Sequence, residues 1–92
     1  MQVLRFTASW CQPCKALAKQ LEELGLDKDV TVVDIDEQQD LAIRYGVRSV
    51  PTLIAVDNNK EVKRIVGVKA KDILLDWFPK IEKNPNIVKS NN

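Results

Sequence analysis

The sequence predicts one α/β domain in which a parallel pair of strands adjoins an antiparallel hairpin. Three observations predict it. Short apolar or β-branched runs alternate with segments whose apolar residues recur at helical spacing. The turn-forming tetrapeptide Asp57-Asn58-Asn59-Lys60 separates the last two strand-like runs. A chain of 92 residues has material for a single core.

Residues 3–7, Val-Leu-Arg-Phe-Thr, form the first strand. From Pro13 the pattern turns helical. Leu17, Leu21 and Leu24 recur at i, i+4 and i+7, Pro13 suits a first turn that needs no N–H, and Gly25 suits the stop. Residues 30–35 form the second strand. Asp36 is expected to cap a second helix, with Gln39 completing a capping box and Gly46 ending it. Residues 52–56, Thr-Leu-Ile-Ala-Val, are nearly all apolar, as in a strand covered on both faces. Residues 61–66 return as the second arm of the hairpin, and Lys63 and Arg64 mark it as an edge. A third helix starts near Lys69, with Ile73, Leu74, Trp77 and Phe78 as its apolar stripe, and ends near Phe78 because Pro79 cannot continue it. From Glu82 onward the chain reads as a polar tail expected to fray, so the domain is residues 1–81 and the tail 82–92.

Composition narrows the function. With 45% hydrophobic and 29% charged residues and a net charge of +1, the chain resembles an ordinary globular protein. It lacks the clustered cations that nucleic acid or an anionic membrane would require. No run approaches the roughly 18 apolar residues of a membrane helix, and the start shows no basic-then-apolar leader. The expected compartment is the cytoplasm, where two cysteines point to chemistry or metal rather than stapling.

Both cysteines lie in Trp10-Cys11-Gln12-Pro13-Cys14-Lys15, after a strand and at the start of a helix. Unpaired amides and the positive end of the helix dipole favour a thiolate there, and thiolates attack disulfides. The motif therefore reads as a thiol–disulfide exchange centre. The chain has no histidine, which excludes a Cys–His nucleophile. Half a zinc site would need a dimer to supply four thiolates. A purely structural disulfide would close too short a loop to restrain the unfolded chain much. No metal and no bound cofactor are expected.

This motif, the order of elements, and Ser49-Val50-Pro51-Thr52 before a buried strand resemble the thioredoxin family, over residues 3–78. The likeness is to short members, such as those of archaea and phages, that lack the first strand and helix of longer ones. It implies a thioredoxin-like fold, a mixed four-stranded sheet in the strand order 2-1-3-4. The first and third helices would lie on one face and the second on the other. By the same resemblance Cys11 is the attacking nucleophile and Cys14 the resolving cysteine. Pro51, which taken alone could simply end a loop, is cis and lies beside them. The Val50 backbone pairs with an extended substrate segment, Gly67 leaves the groove open, and Trp10, Gln12 and Pro13 border the exposed cysteine.

The departures matter too. Arg5 stands where many members carry a buried aspartate, and Val32 where a partner lysine is common. Thr7 replaces a second tryptophan, Gln12 a glycine, and Lys19 a helix-bending proline, so the first helix is expected to run straighter. Arg5, Lys15 and Asp34 are the candidates for tuning the thiols. Arg5 either pairs with Asp34 or threads its stem over apolar surface to water.

The resemblance implies a monomeric protein-disulfide reductase, reoxidised by clients such as ribonucleotide reductase. A flavoprotein like thioredoxin reductase, drawing on NADPH, would reduce it again. The rivals are a glutathione-coupled, glutaredoxin-like enzyme, an accessory subunit in which the cysteines matter little, and an oxidative folding catalyst. Glutaredoxins usually carry a Tyr inside the motif and a Gly-Gly turn, whereas this chain has Val66-Gly67-Val68-Lys69 at that turn.

Overall fold

A computed structural model describes residues 1–79; the tail expected from residue 82 and the domain limit at 81 lie outside the described residues. The elements follow in the order β1 (Gln2–Thr7), α1 (Gln12–Glu23), a single 3-10 turn (Asp27–Asp29), β2 (Val30–Asp34), α2 (Gln39–Arg44), β3 (Thr52–Asp57), β4 (Lys60–Val66) and α3 (Lys71–Trp77). The sheet order is β2-β1-β3-β4, as the resemblance implies. β1 runs parallel to β2, with Arg5 opposite Val32 and Thr7 opposite Asp34, and antiparallel to β3. β3 and β4 form the antiparallel hairpin, with a bulge at Ala55/Val56. Asn58 and Asn59 both take positive φ in its turn, 53° and 67°. That is the tight-hairpin conformation in which Asn is tolerated.

The alternation along the strands divides the core. Val3, Leu53 and Ala55 face Leu17 and Leu21 of α1 and Leu74 of α3. Leu4, Phe6, Val33, Ile54 and Val56 face the other way, with Leu41 and Tyr45 of α2 packed on them. Every residue from Thr52 to Val56 is buried, which explains the near-continuous apolar run. α1 continues unbroken through Lys19 and closes at Gly25 (φ 72°). There the Leu26 N–H donates to Leu21 O at 2.8 Å and the Gly25 N–H to Glu22 O at 3.1 Å. These are the paired bonds of a Schellman motif, which needs a left-handed residue at that position.

Two local expectations fail. α2 begins at Gln39, and its N-cap, Gln38, makes no side-chain bond. Gln39 reaches the Asp36 carbonyl oxygen at 3.4 Å instead of completing a capping box. Asp36 does not cap the helix because it lies two residues before the N-cap, in a turn where the Glu37 and Gln38 N–H groups donate to Asp34 O. One of its carboxylate oxygens accepts from Trp10. In α3, Ile73 is half exposed while Leu74 and Phe78 are buried. Residues i and i+4 share a face, so a helix this short turns only that pair fully inward.

Candidate active site

The site forms where β1 gives way to α1. Cys11 is the N-cap of α1, with extended backbone (φ −98°, ψ 108°), and its sulfur accepts the Cys14 N–H at 3.1 Å. The cap position, usually filled by Ser, Thr, Asp or Asn, is here occupied by sulfur. Pro13 sits in the first turn, where its missing N–H leaves no helical bond unmade. Cys11 and Cys14 are joined as a disulfide with Cα atoms 5.2 Å apart.

Both sulfur residues are more enclosed than their place at a helix start suggests: Cys11 is 4% exposed and Cys14 1%. Each covers the other, Ala8 is buried against them, and Ile35 and Val50 pack on the same cluster. Trp10 (65% exposed), Gln12 and Pro13 surround this enclosed pair with accessible surface.

The opposite wall is the loop before β3. The Val50–Pro51 peptide is cis. The Val50 carbonyl oxygen lies 3.7 Å from Cys11 Sγ. Two bonds pin this loop: Thr52 Oγ1 donates to Ser49 O at 2.8 Å, and the Gly67 N–H donates to Pro51 O at 2.9 Å. Gly67 (φ 86°) stands at the end of β4, and a Cβ built there would meet no atom within 4 Å. Trp10, Gln12 and Pro13 thus flank the cysteines along the chain, Val50 packs on them from the opposing loop, and Pro51 and Gly67 are joined within and behind that loop.

Trp10 is anchored across the site. Its Nε1 donates to Asp36 Oδ2 at 2.9 Å. Asp36 reads in sequence as a helix cap, and only the tertiary structure shows what it holds. Thr52 was legible only as part of the Val-Pro-Thr motif; its hydroxyl role depends on the loop geometry.

The candidate tuning groups are disposed unequally. Lys15 is exposed on α1. Asp34 Oδ1 accepts the Asp36 N–H at 2.8 Å and the Glu37 N–H at 3.3 Å. The Arg5–Asp34 ion pair does not form: the ion pairs found among the described residues are Arg64–Glu61 and Lys71–Glu23. The parallel register sets Arg5 opposite Val32, and the turn amides already occupy an oxygen of Asp34. Burial pushes the Arg5 guanidinium below its ordinary value. No cluster of three or more His, Cys, Asp or Glu side chains suited to a metal occurs among the described residues.

The family model described as Thioredoxin matches residues 1–80. The chain belongs to the thioredoxin family. The thioredoxin of Staphylococcus aureus is 38% identical over 84 residues, covering 87% of this chain and 81% of the relative. A mutant thioredoxin from Halobacterium salinarum, 39% identical, aligns with a TM-score of 0.66 over 80% of this chain and 67% of its own. Thioredoxin 1 of Thermosipho africanus, 24% identical, shares the fold at a TM-score of 0.67 over 83% of this chain and 88% of its own. Membership of the family, with Cys11 and Cys14 at bonding distance, makes this chain a thiol–disulfide oxidoreductase acting on protein disulfides.

Proposed function

We propose that the protein is a reductase of client disulfides. The Cys11 thiolate attacks one sulfur of a client disulfide, forming a Cys11–client bond and releasing the other client sulfur as a thiol. Cys14 then attacks Cys11, the client leaves with both sulfurs reduced, and the Cys11–Cys14 disulfide remains. The client segment lies extended along the Val50 backbone, between Trp10, Gln12 and Pro13 on one side and Pro51 and Gly67 on the other. A flavoprotein reductase supplied by NADPH returns the dithiol. The carrier works as a monomer in the cytoplasm, and ribonucleotide reductase is one fitting client.

One observation carries this reading: a Cys11–Cys14 disulfide at a helix start, with its outer sulfur 3.7 Å from a backbone carbonyl on an opposing loop. Insulin reduction with NADPH and thioredoxin reductase tests it against the same assay with glutathione. Turnover with the reductase and little with glutathione is expected; the reverse would make the protein a glutaredoxin-like enzyme. Cys14→Ser should accumulate a mixed disulfide with the client, and Cys11→Ser should not. A double Cys11→Ser, Cys14→Ser variant with full biological function would instead support an accessory subunit.

A further inference from the structure

Arg5 is a cation that forms no ion pair among the described residues, placed behind the redox pair. It shares the α1-facing side of β1 with Val3, and lines a cavity of about 260 Å³ together with Cys14, Lys15 and Asp34. The space is large enough for several water molecules. Among the described residues no carboxylate comes within ion-pair distance of Arg5. A second cavity on its other side adds Lys19 of α1, with Glu22 and Asp27 facing it. The half-buried guanidinium has lost part of its hydration without a carboxylate at ion-pair distance to offset the loss.

The redox cycle supplies an anion. In the disulfide Cys14 is neutral; on reduction it is the one lining group of this cavity whose charge changes with the redox state. We propose that Arg5 holds the Cys14 sulfur as a thiolate for the resolving step, and so stabilises the dithiol relative to the disulfide. Arginine keeps its proton at working pH, so it cannot take the Cys14 proton, which passes to cavity water. The Cys14 thiolate then forms the bond to Cys11, the Cys11–client bond breaks, and the client thiolate leaves with the electron pair and takes a proton from solvent. Arg5 forms and breaks no bond in the exchange and acts through the charge on Cys14, as a positioning residue. The cavity lies on the Cys14 side, so the effect falls on Cys14 more than on Cys11.

The proposal rests on the exchange chemistry above, and the test separates the two. In a Cys11→Ser background, Arg5→Met should cut the Cys14 thiolate about tenfold at neutral pH, read by ultraviolet thiolate absorbance, corresponding to a titration raised by about one unit. Arg5→Lys should restore most of it. In a Cys14→Ser background the same Arg5→Met change should move Cys11 by less than about a third of that shift. With both cysteines present, Arg5→Met should shift the glutathione equilibrium about tenfold towards a stronger reductant at alkaline pH, about 30 mV, and match the parent in acid, where neither thiolate exists. A merely structural role would move both cysteines, or leave a difference that persists into acid. Either result overturns the proposal, as does an unmoved Cys14. The single-cysteine titrations read Arg5 even if the parent dithiol refuses to equilibrate, a failure that would sink the reductase reading alone.

Discussion

Replacing Thr52 by Val probes whether the loop opposite the cysteines is held by one hydroxyl. Thr52 is 2% exposed, and its Oγ1 donates to Ser49 O at 2.8 Å across the turn that carries Val50 and Pro51. Valine has nearly the same shape, so the substitution leaves no cavity; it deletes the donor and puts a methyl in its place. A neutral hydrogen bond contributes about 1 kcal/mol net, and an acceptor left unmatched in a part-buried place costs about 1–3 kcal/mol. The added apolar contact returns some of this, about 0.8 kcal/mol for a buried methyl-sized group. The expected loss is therefore about 0.2–2 kcal/mol, centred near 1 kcal/mol. For a domain of this size the central value lowers Tm by roughly 4–8 °C. Thermal melting of the oxidised protein reads the stability, and client disulfide reduction reads the loop. Thr52→Ser, which keeps the hydroxyl and removes one methyl, should fall by less than Thr52→Val. A Thr52→Val protein as stable as the parent, or a Thr52→Ser protein weaker than Thr52→Val, would refute the assignment.

Gly67→Ala should destabilise by about 1–2 kcal/mol, because φ 86° is costly for any residue with a Cβ although no atom stands in its way. Urea denaturation checks this, and an unchanged midpoint would contradict it. Arg64 lowers the Glu61 carboxyl below its ordinary value through a hydrogen bond and its charge. The stability from that pair is full above the unfolded glutamate value, about 4.3, and is lost as pH falls through the lower folded value. Arg64→Met should thus flatten the acid limb of a stability–pH curve; an equally steep limb would remove the linkage. Asp36→Ala should release the Trp10 indole, costing under about 1 kcal/mol because the pair is exposed. A shifted and faster-exchanging Trp10 Nε1–H resonance in NMR is expected, and an unaltered one would deny the anchor.

The framework was legible because it depends on local pattern. Apolar periods located the strands and helices, glycines located the ends of α1 and α2, and Asn58-Asn59 located the hairpin. The arrangement of the sheet followed from the family resemblance carried by the cysteine and Val-Pro-Thr motifs. What escaped depends on contacts between distant residues. Asp36 is a good cap by sequence, yet it sits in a turn closed on Asp34 O, with one carboxylate oxygen accepting from an indole 26 positions away, and α2 starts after that turn. Arg5 and Asp34 are plausible partners by alternation, but register and turn amides keep them from pairing. The enclosure of the sulfurs comes from Ala8, Ile35 and Val50, which no cysteine spacing reveals.

The loop facing the cysteines runs directly into β3, whose first five residues are all buried, and the Pro51 carbonyl is tied to the end of β4. Local fraying therefore has no cheap foothold at this wall. Opening it disturbs the buried start of β3, a central strand of the sheet. Amide exchange at Leu53, buried in a central strand, would then be as slow as whole-domain opening permits, and electron transfer would survive heating until that strand opens.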